Sequence, residues 1–215
     1  MLELNDNLEV KEEVLQGSVI YTIDNFYKDP DSLVDYLLSI EPPLWKINQK
    51  PSYNDVYFED RKHEIKCEEV KPIYLYLKSI CGDNLYDTDE IVTNVTRFKK
   101  VQFNDYEDCY WSPHTDIGYT ALIYLNKGDT QSGTNLYEIL DPREPPRKKE
   151  HEDPWRPKKR YKVLKHIEPR YNRMVLYNGK KFPHGMNICN NDYFKNTYRM
   201  NQVCFFKDSG RSLTK

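Results

Sequence analysis

No stretch of the 215-residue chain holds about 18 consecutive apolar residues, so nothing in it reads as a membrane-spanning helix. The N-terminal MLELNDNLEVKEEVLQG is acidic and polar rather than leader-like, which sets the expectation of a cytoplasmic protein. Cysteine is scarce and unpatterned. Cys67, Cys81, Cys109, Cys189 and Cys204 form no CxxC, so they read as small reduced side chains rather than a disulfide framework. A surplus of one charge is also missing: 32 Lys and Arg stand against 34 Asp and Glu, a formal net charge of -2. That balance gives no compositional support to a role on nucleic acid or another polyanion. HExxH, the helical zinc-protease pattern, does not occur.

Aromatic side chains are what the chain has in quantity, 13% of residues with 18 tyrosines. A mean hydropathy of -0.86 therefore understates the buried surface, because tyrosine is apolar in body and polar only at its tip. The length suits one large domain with a real core. SVIYTIDNFY, residues 18–27, has strand chemistry. Asp29-Pro30-Asp31 then opens a helix whose apolar face is Leu33, Leu37 and Ile40, closed by Glu41-Pro42-Pro43. Residues 44–62 look irregular, and EIKCEEVKPIYLYLKSICG, residues 64–82, reads as a second helix, kinked or begun at Pro72 and stopped at Gly82. From about residue 91 the texture turns to short strands separated by Asn, Gly, Asp and Pro: IVTNVTRFKKVQF, CYWSPHTD, YTALIYLNKG, GTNLYEIL, YKVLKHIEP, RMVLYNGK and NTYRMNQVCFF. Seven or eight such strands suit an antiparallel sandwich or barrel. The expected layout is an N-terminal tail over 1–17, a single domain over 18–207 and a C-terminal tail over 208–215. Within the domain, 18–90 supplies a strand and supporting helices, and 91–207 supplies the β core.

One segment interrupts that core. LDPREPPRKKEHEDPWRPKKRY, residues 140–161, holds five prolines and a dense mix of charge. An insert of this length is a functional loop or a disordered one. Its basic end, Arg156 to Arg160, reads as a solvated flank or as a contact for an acidic partner. Trp155 within it is a candidate lid.

The chemistry is carried by SPHTDIGYTALIYLN, residues 112–126. On a strand, His114 and Asp116 point to one face, because side chains alternate with period two. Such a pair grips an ion only if a third ligand arrives from elsewhere. Among the other histidines, His63 sits in a polar lead-in, His151 in the Pro-rich loop and His166 on a plausible strand. His184 stands between Pro183, which fixes the backbone, and Gly185, which permits close approach. His184 is the chosen third ligand and His166 the alternative. Two histidines and one carboxylate occupy one face of a metal and leave the other open, the arrangement of non-heme Fe(II) oxygenases.

With His114-Thr115-Asp116, a distal His184 68 residues beyond Asp116, and Arg199 15 residues after that, the chain resembles the Fe(II)- and 2-oxoglutarate-dependent dioxygenases, in their prolyl-hydroxylase-like branch. VIYTIDNFY, TALIYLN, GTNLYE and NRMVLYNGKKFPHG are similar to the corresponding strands of that branch, so the resemblance spans about residues 18–207. It implies a mostly β fold with flanking helices and a double-stranded β-helix (jelly-roll, cupin-like) core. It implies Fe(II) held by His114, Asp116 and His184, with 2-oxoglutarate as co-substrate, O2, and ascorbate as a candidate accessory. The implied reaction couples decarboxylation of 2-oxoglutarate to hydroxylation of a substrate C–H bond. The substrate is a peptide or a small molecule, with a peptidyl side chain such as proline the first expectation. Arg199 is the implied partner of the far carboxylate of 2-oxoglutarate, with Lys195 as runner-up, because a buried carboxylate needs a positive partner and a planar fork serves best. Tyr124 is the implied second contact to that carboxylate. Tyr110, Trp111, Asn94 and Arg97 are weaker pocket candidates. Two other classes stand beside the oxygenase. One is a catalytically silent β-barrel that binds through its Pro-rich basic loop, and the other a zinc hydrolase or isomerase on a cupin-like barrel.

Overall fold

The computed structural model describes residues 2–40, 46–52, 56–81, 90–100, 108–128, 133–141, 155–187 and 199–206. The chain opens with a hairpin. Strand β1 (Glu9–Leu15) pairs antiparallel with β2 (Ser18–Asp24) through a two-residue turn in which Gln16 and Gly17 both take positive φ. That is the turn geometry whose twist matches paired strands. β1 lies in the stretch read as an N-terminal tail; its residues are exposed and mostly charged, so no apolar alternation announces it. Helix α1 (Pro30–Ser39) follows, capped by the Asp29 carboxylate, which accepts from the Ser32 backbone N–H at 3.1 Å. Pro30 occupies the first turn, where its missing N–H costs nothing.

Within residues 44–62, those that are described are strand rather than irregular. The described residues form β3 (Lys46–Ser52) and most of β4 (Val56–Lys66), which pair in antiparallel register. His63 therefore lies on a strand, with Thr93 as its partner across the ladder. KINQKPS and VYFEDRKHEIK are too polar to show an apolar face, so their strand character comes from cross-strand pairing rather than from local pattern. Pro51 is tolerated because β3 is the last strand of its sheet. Helix α2 (Cys67–Cys81) starts three residues later than the sequence suggests and carries Pro72 inside it.

The remaining strands are β5 (Glu90–Lys100), β6 (Cys109–Trp111), β7 (Tyr119–Tyr124), β8 (Thr134–Ile139), β9 (Trp155–Pro157), β10 (Tyr161–Ile167), β11 (Met174–Asn178), β12 (His184–Met186) and β13 (Arg199–Phe206). They complete an eight-stranded sheet in the order β1-β2-β11-β7-β13-β5-β4-β3, a three-stranded sheet β10-β8-β12, and a two-stranded ribbon β6-β9. The architecture is thus mostly β with two flanking helices, as the sequence led us to expect.

Alternation along the strands sorts the core into two layers. Val19, Tyr21 and Ile23 of β2, Ala121 and Ile123 of β7, Met174 and Leu176 of β11, and Met200 and Cys204 of β13 pack with Leu33 and Leu37 of α1 and Ile73 and Leu77 of α2. The helices therefore cover one face of the large sheet. Each such leucine contributes about 1.5–3 kcal/mol through burial, and Leu37→Ala would cost about 2–5 kcal/mol. Their strand neighbours, Ile20, Leu122, Tyr124, Val175, Tyr177 and Val203, turn the other way and pack with Leu136 and Ile167 of the small sheet. This second layer lies between the two sheets and forms the floor of the site.

Candidate metal centre

β12 places its first residue, His184, opposite Leu136 of β8, an inward position. The backbone of His184 also forms a reciprocal bridge with His114: His114 N–H donates to the His184 carbonyl at 2.9 Å, and His184 N–H donates to the His114 carbonyl at 2.8 Å. Residues paired this way present adjacent side chains on one face. The rings accordingly lie 4.6 Å apart between centroids. Gly185 is where its neighbour needs it, since a Cβ there would come within 2.5 Å of the Trp111 carbonyl oxygen. Just ahead of His114, Ser112 is held at φ 42°, a left-handed conformation that costs a non-glycine residue about 1–2 kcal/mol.

Asp116 completes the group. Its Oδ2 lies 3.1 Å from His184 Nε2 and its Oδ1 3.9 Å from His114 Nε2. One ligand atom from each of the three residues falls within 4.8 Å of the others. Asp116 is tethered at both ends: its backbone N–H donates to the Gly179 carbonyl at 2.9 Å, and the buried Thr120 hydroxyl donates to its carboxylate Oδ2. His184 is nearly sealed at 6% side-chain exposure, whereas His114 at 36% faces the opening.

The tautomers are legible from the carbonyls. His114 Nδ1 donates to the Ser112 oxygen at 2.7 Å, and His184 Nδ1 donates to the Phe182 oxygen at 3.0 Å. A carbonyl only accepts, so each Nδ1 carries hydrogen and each Nε2 faces the carboxylate. With neutral imidazoles that leaves three acceptors converging with no hydrogen among them. A cation removes the repulsion, and a bound proton would do so in part. Burial pushes the Asp116 carboxyl up, but protonated imidazoles, first the Nε2–H and charge of His184, with help from the Thr120 hydroxyl and then His114, outweigh it and hold the group below its ordinary 3.8. The donor set fits a divalent metal that takes neutral imidazole and carboxylate.

Beside this group, Arg199 opens β13 on the inward face shared with Asn201 and Val203. It is 9% exposed, and its Nη1 donates to Asn201 Oδ1 at 2.6 Å. The guanidinium lies 5.9 Å from the centre of the Tyr124 ring, and the Tyr124 hydroxyl donates to Thr134 Oγ1 at 2.8 Å. Burial raises the Tyr124 phenol, opposed by the charge of Arg199. Between the two groups stands Tyr177 of β11, its ring edge-on to His184 at 5.0 Å; burial first and the charge of Asp116 second push its hydroxyl well up.

The structure thus brings together His114, Asp116 and His184, and separately Arg199 with Tyr124. It does not bring in His166, which is exposed on β10 and bonds Asn135 through Nδ1 at 2.8 Å. Tyr110 packs against Tyr137 and Tyr161 instead of the metal group, at 4.8 and 6.4 Å between ring centroids. Trp111 pairs with Trp155 across the β6-β9 ribbon, and Asn94 stands opposite Asn201 on β5. Lys195, His151 and residues 142–154 of the Pro-rich segment lie outside the described residues. A cavity of about 370 Å³ against α1, lined by Asp31, Asp35, Lys127 and Tyr171 among others, includes none of the residues of the metal group. Thr120, Gly179 and Tyr177 went unnoticed in the sequence. Only their inward register on β7 and at the end of β11 marks them, and a single strand does not reveal its register.

No protein-family model matches the chain, and no curated protein matches it in sequence. Among solved structures, it is similar to a selenomethionine-labelled Fe(II)/(alpha)ketoglutarate-dependent dioxygenase, TqaL, at 14% identity and a TM-score of 0.42 over 84% of this chain and 74% of that one. It is also similar to a Pseudomonas putida prolyl-4-hydroxylase at 13% identity and a TM-score of 0.38, over 84% of this chain and all of that one.

Proposed function

We propose that the chain is a non-heme Fe(II)- and 2-oxoglutarate-dependent oxygenase, a hydroxylase. The observation that carries this reading is the convergence of two Nδ1-protonated imidazoles and one tethered carboxylate on a single point beside a buried arginine. His114, Asp116 and His184 are the proposed ligands. Three protein ligands leave positions on the metal for a chelating co-substrate and O2. When bound, Fe(II) supplies the redox chemistry that joins O2 consumption and decarboxylation of 2-oxoglutarate to hydroxylation.

The protein's own part is positioning. The reciprocal backbone bridge fixes the separation of the histidines, and the Ser112 and Phe182 carbonyls fix which nitrogen faces the metal. Arg199 offers a fork for the far carboxylate of 2-oxoglutarate, and Tyr124, whose ring centre lies 5.9 Å from that guanidinium, is the proposed second contact. The reading of the two facing sheets as a double-stranded β-helix, and of residues 18–207 as one functional domain, belongs to the same proposal. A peptidyl substrate such as proline is expected on the resemblance of the sequence alone. Among the described residues no helix is long and apolar enough to cross a membrane.

The test is production of succinate from 2-oxoglutarate by purified protein with Fe(II) under air, against His114→Ala, Asp116→Ala and His184→Ala. Iron-dependent succinate in the parent and none in the three variants supports the reading. Equal succinate in all four, or none in any together with no binding of Fe(II), overturns it in favour of a non-catalytic binding module.

A further inference from the structure

Asp116 has two oxygens, and the structure treats them differently. Oδ2 accepts the Thr120 hydroxyl hydrogen and lies 3.1 Å from His184 Nε2, while Oδ1 has no such donor and lies 3.9 Å from His114 Nε2. Thr120 is 2% exposed and stands on the inward face of β7, where its strand partner is Tyr177 of β11. The space that allows this contact is made two residues further on. A Cβ at Gly179 would collide with Thr120 Oγ1 and lie 3.0 Å from Asp116 Oδ2. Gly179 also accepts the Asp116 backbone N–H at 2.9 Å. Thr120 and Gly179 therefore both bear on Asp116, and of the two only Thr120 has a side-chain function to offer its carboxylate.

A carboxylate on a metal can bind through one oxygen or through both. Binding through both takes up a position that would otherwise be open. An oxygen that accepts a hydrogen bond from a buried hydroxyl is held in place and donates less charge to a metal, so its partner oxygen becomes the better ligand. Resting on the proposed metal reading, we infer that Thr120 is a positioning residue: its hydroxyl fixes the orientation of the Asp116 carboxylate, so that one oxygen rather than both serves as ligand and one more metal position stays open. Hydrogen-bonded partners of this kind commonly change metal affinity by about 10–100-fold when removed.

Co(II) is the probe, because it needs no O2 and its ligand-field absorption weakens as coordination number rises. The protein is titrated with Co(II) as parent, Thr120→Val, Thr120→Ala, Thr120→Ser and His184→Ala. Expected is a Kd raised about 10–100-fold in Thr120→Val, with a weaker ligand-field band as the freed oxygen swings onto the metal. Thr120→Ala, which has no bulk to disturb packing, shows the same two changes, and Thr120→Ser restores both. A Thr120→Val or Thr120→Ala protein that matches the parent in Kd and spectrum overturns the role of Thr120 while leaving the metal site standing. A parent that binds Co(II) no better than His184→Ala overturns the metal reading and this inference with it.

Discussion

Replacing Arg199 separates anchoring from folding, because the two losses have different sizes. The guanidinium is buried, donates to Asn201 Oδ1 at 2.6 Å and lies over Tyr124. Arg199→Ala strips Asn201 of a charged donor, a loss of about 1.5–3 kcal/mol to the fold. A domain with about 5–15 kcal/mol of stability remains folded after that. For the co-substrate the loss is larger. A buried carboxylate left without its partner costs about 2–5 kcal/mol, which raises the Kd of 2-oxoglutarate by a factor of roughly 30 to several thousand. Arg199→Lys keeps the charge but not the planar fork, and its rise is smaller. Tyr124→Phe removes a hydroxyl that already donates to Thr134, so its effect falls below that of Arg199→Ala. Calorimetric titration of 2-oxoglutarate into Mn(II)-loaded protein reads each Kd, and a parallel Mn(II) titration should show little change, since neither residue is a proposed metal ligand. Unchanged 2-oxoglutarate affinity in Arg199→Ala, with affinity lost in Lys195→Ala, would refute the assignment and move the anchor to Lys195.

Gly179→Ala should fold but bind Mn(II) at least tenfold more weakly, because its Cβ would push Thr120 and Asp116 apart at a cost of about 1–3 kcal/mol; equal Mn(II) affinity would show that the carboxylate relaxes freely. Asp24 receives two hydrogen bonds from Arg173, at 2.6 and 3.0 Å, and that contact, outweighing burial, lowers its pKa below 3.8. A depressed carboxylate stabilises the fold above its unfolded pKa and loses that contribution as pH falls through its folded value. Asp24→Asn should therefore cost about 1.5–3 kcal/mol at pH 7 and progressively less below pH 4, read by urea unfolding; a gap that does not change with pH would contradict the ion pair. Tyr27→Phe removes the donor to Gln202 Oε1, a 2.8 Å bond between two fully buried side chains. It should lower the urea midpoint by an amount worth about 1–3 kcal/mol, and an unchanged midpoint would mean Gln202 finds another donor.

How much of this was legible beforehand depends on whether the signal is local. His114 and Asp116 declare themselves by a spacing of two, and the turn residues around His184 singled it out among five histidines. The helix at Asp29-Pro30 was readable because capping is written within four residues. β3 and β4 were not, since their strand state depends on partners far away in the chain and their own composition is polar. β1 escaped for the same reason. The contact of Thr120 with Asp116 and the room left by Gly179 depend on the register between β7 and β11, a relation between two strands that neither one encodes.

The reciprocal backbone clasp between His114 and His184 has a consequence for how the site is filled. Two opposed peptide groups hold the histidines side by side. On the proposed metal reading, that geometry rests on the backbone rather than on the cation, so loading should be a docking event and not a folding event. Chelation should strip the site without unravelling the sheets around it, and the emptied protein should take up metal again at a rate set by access past the more open His114 side.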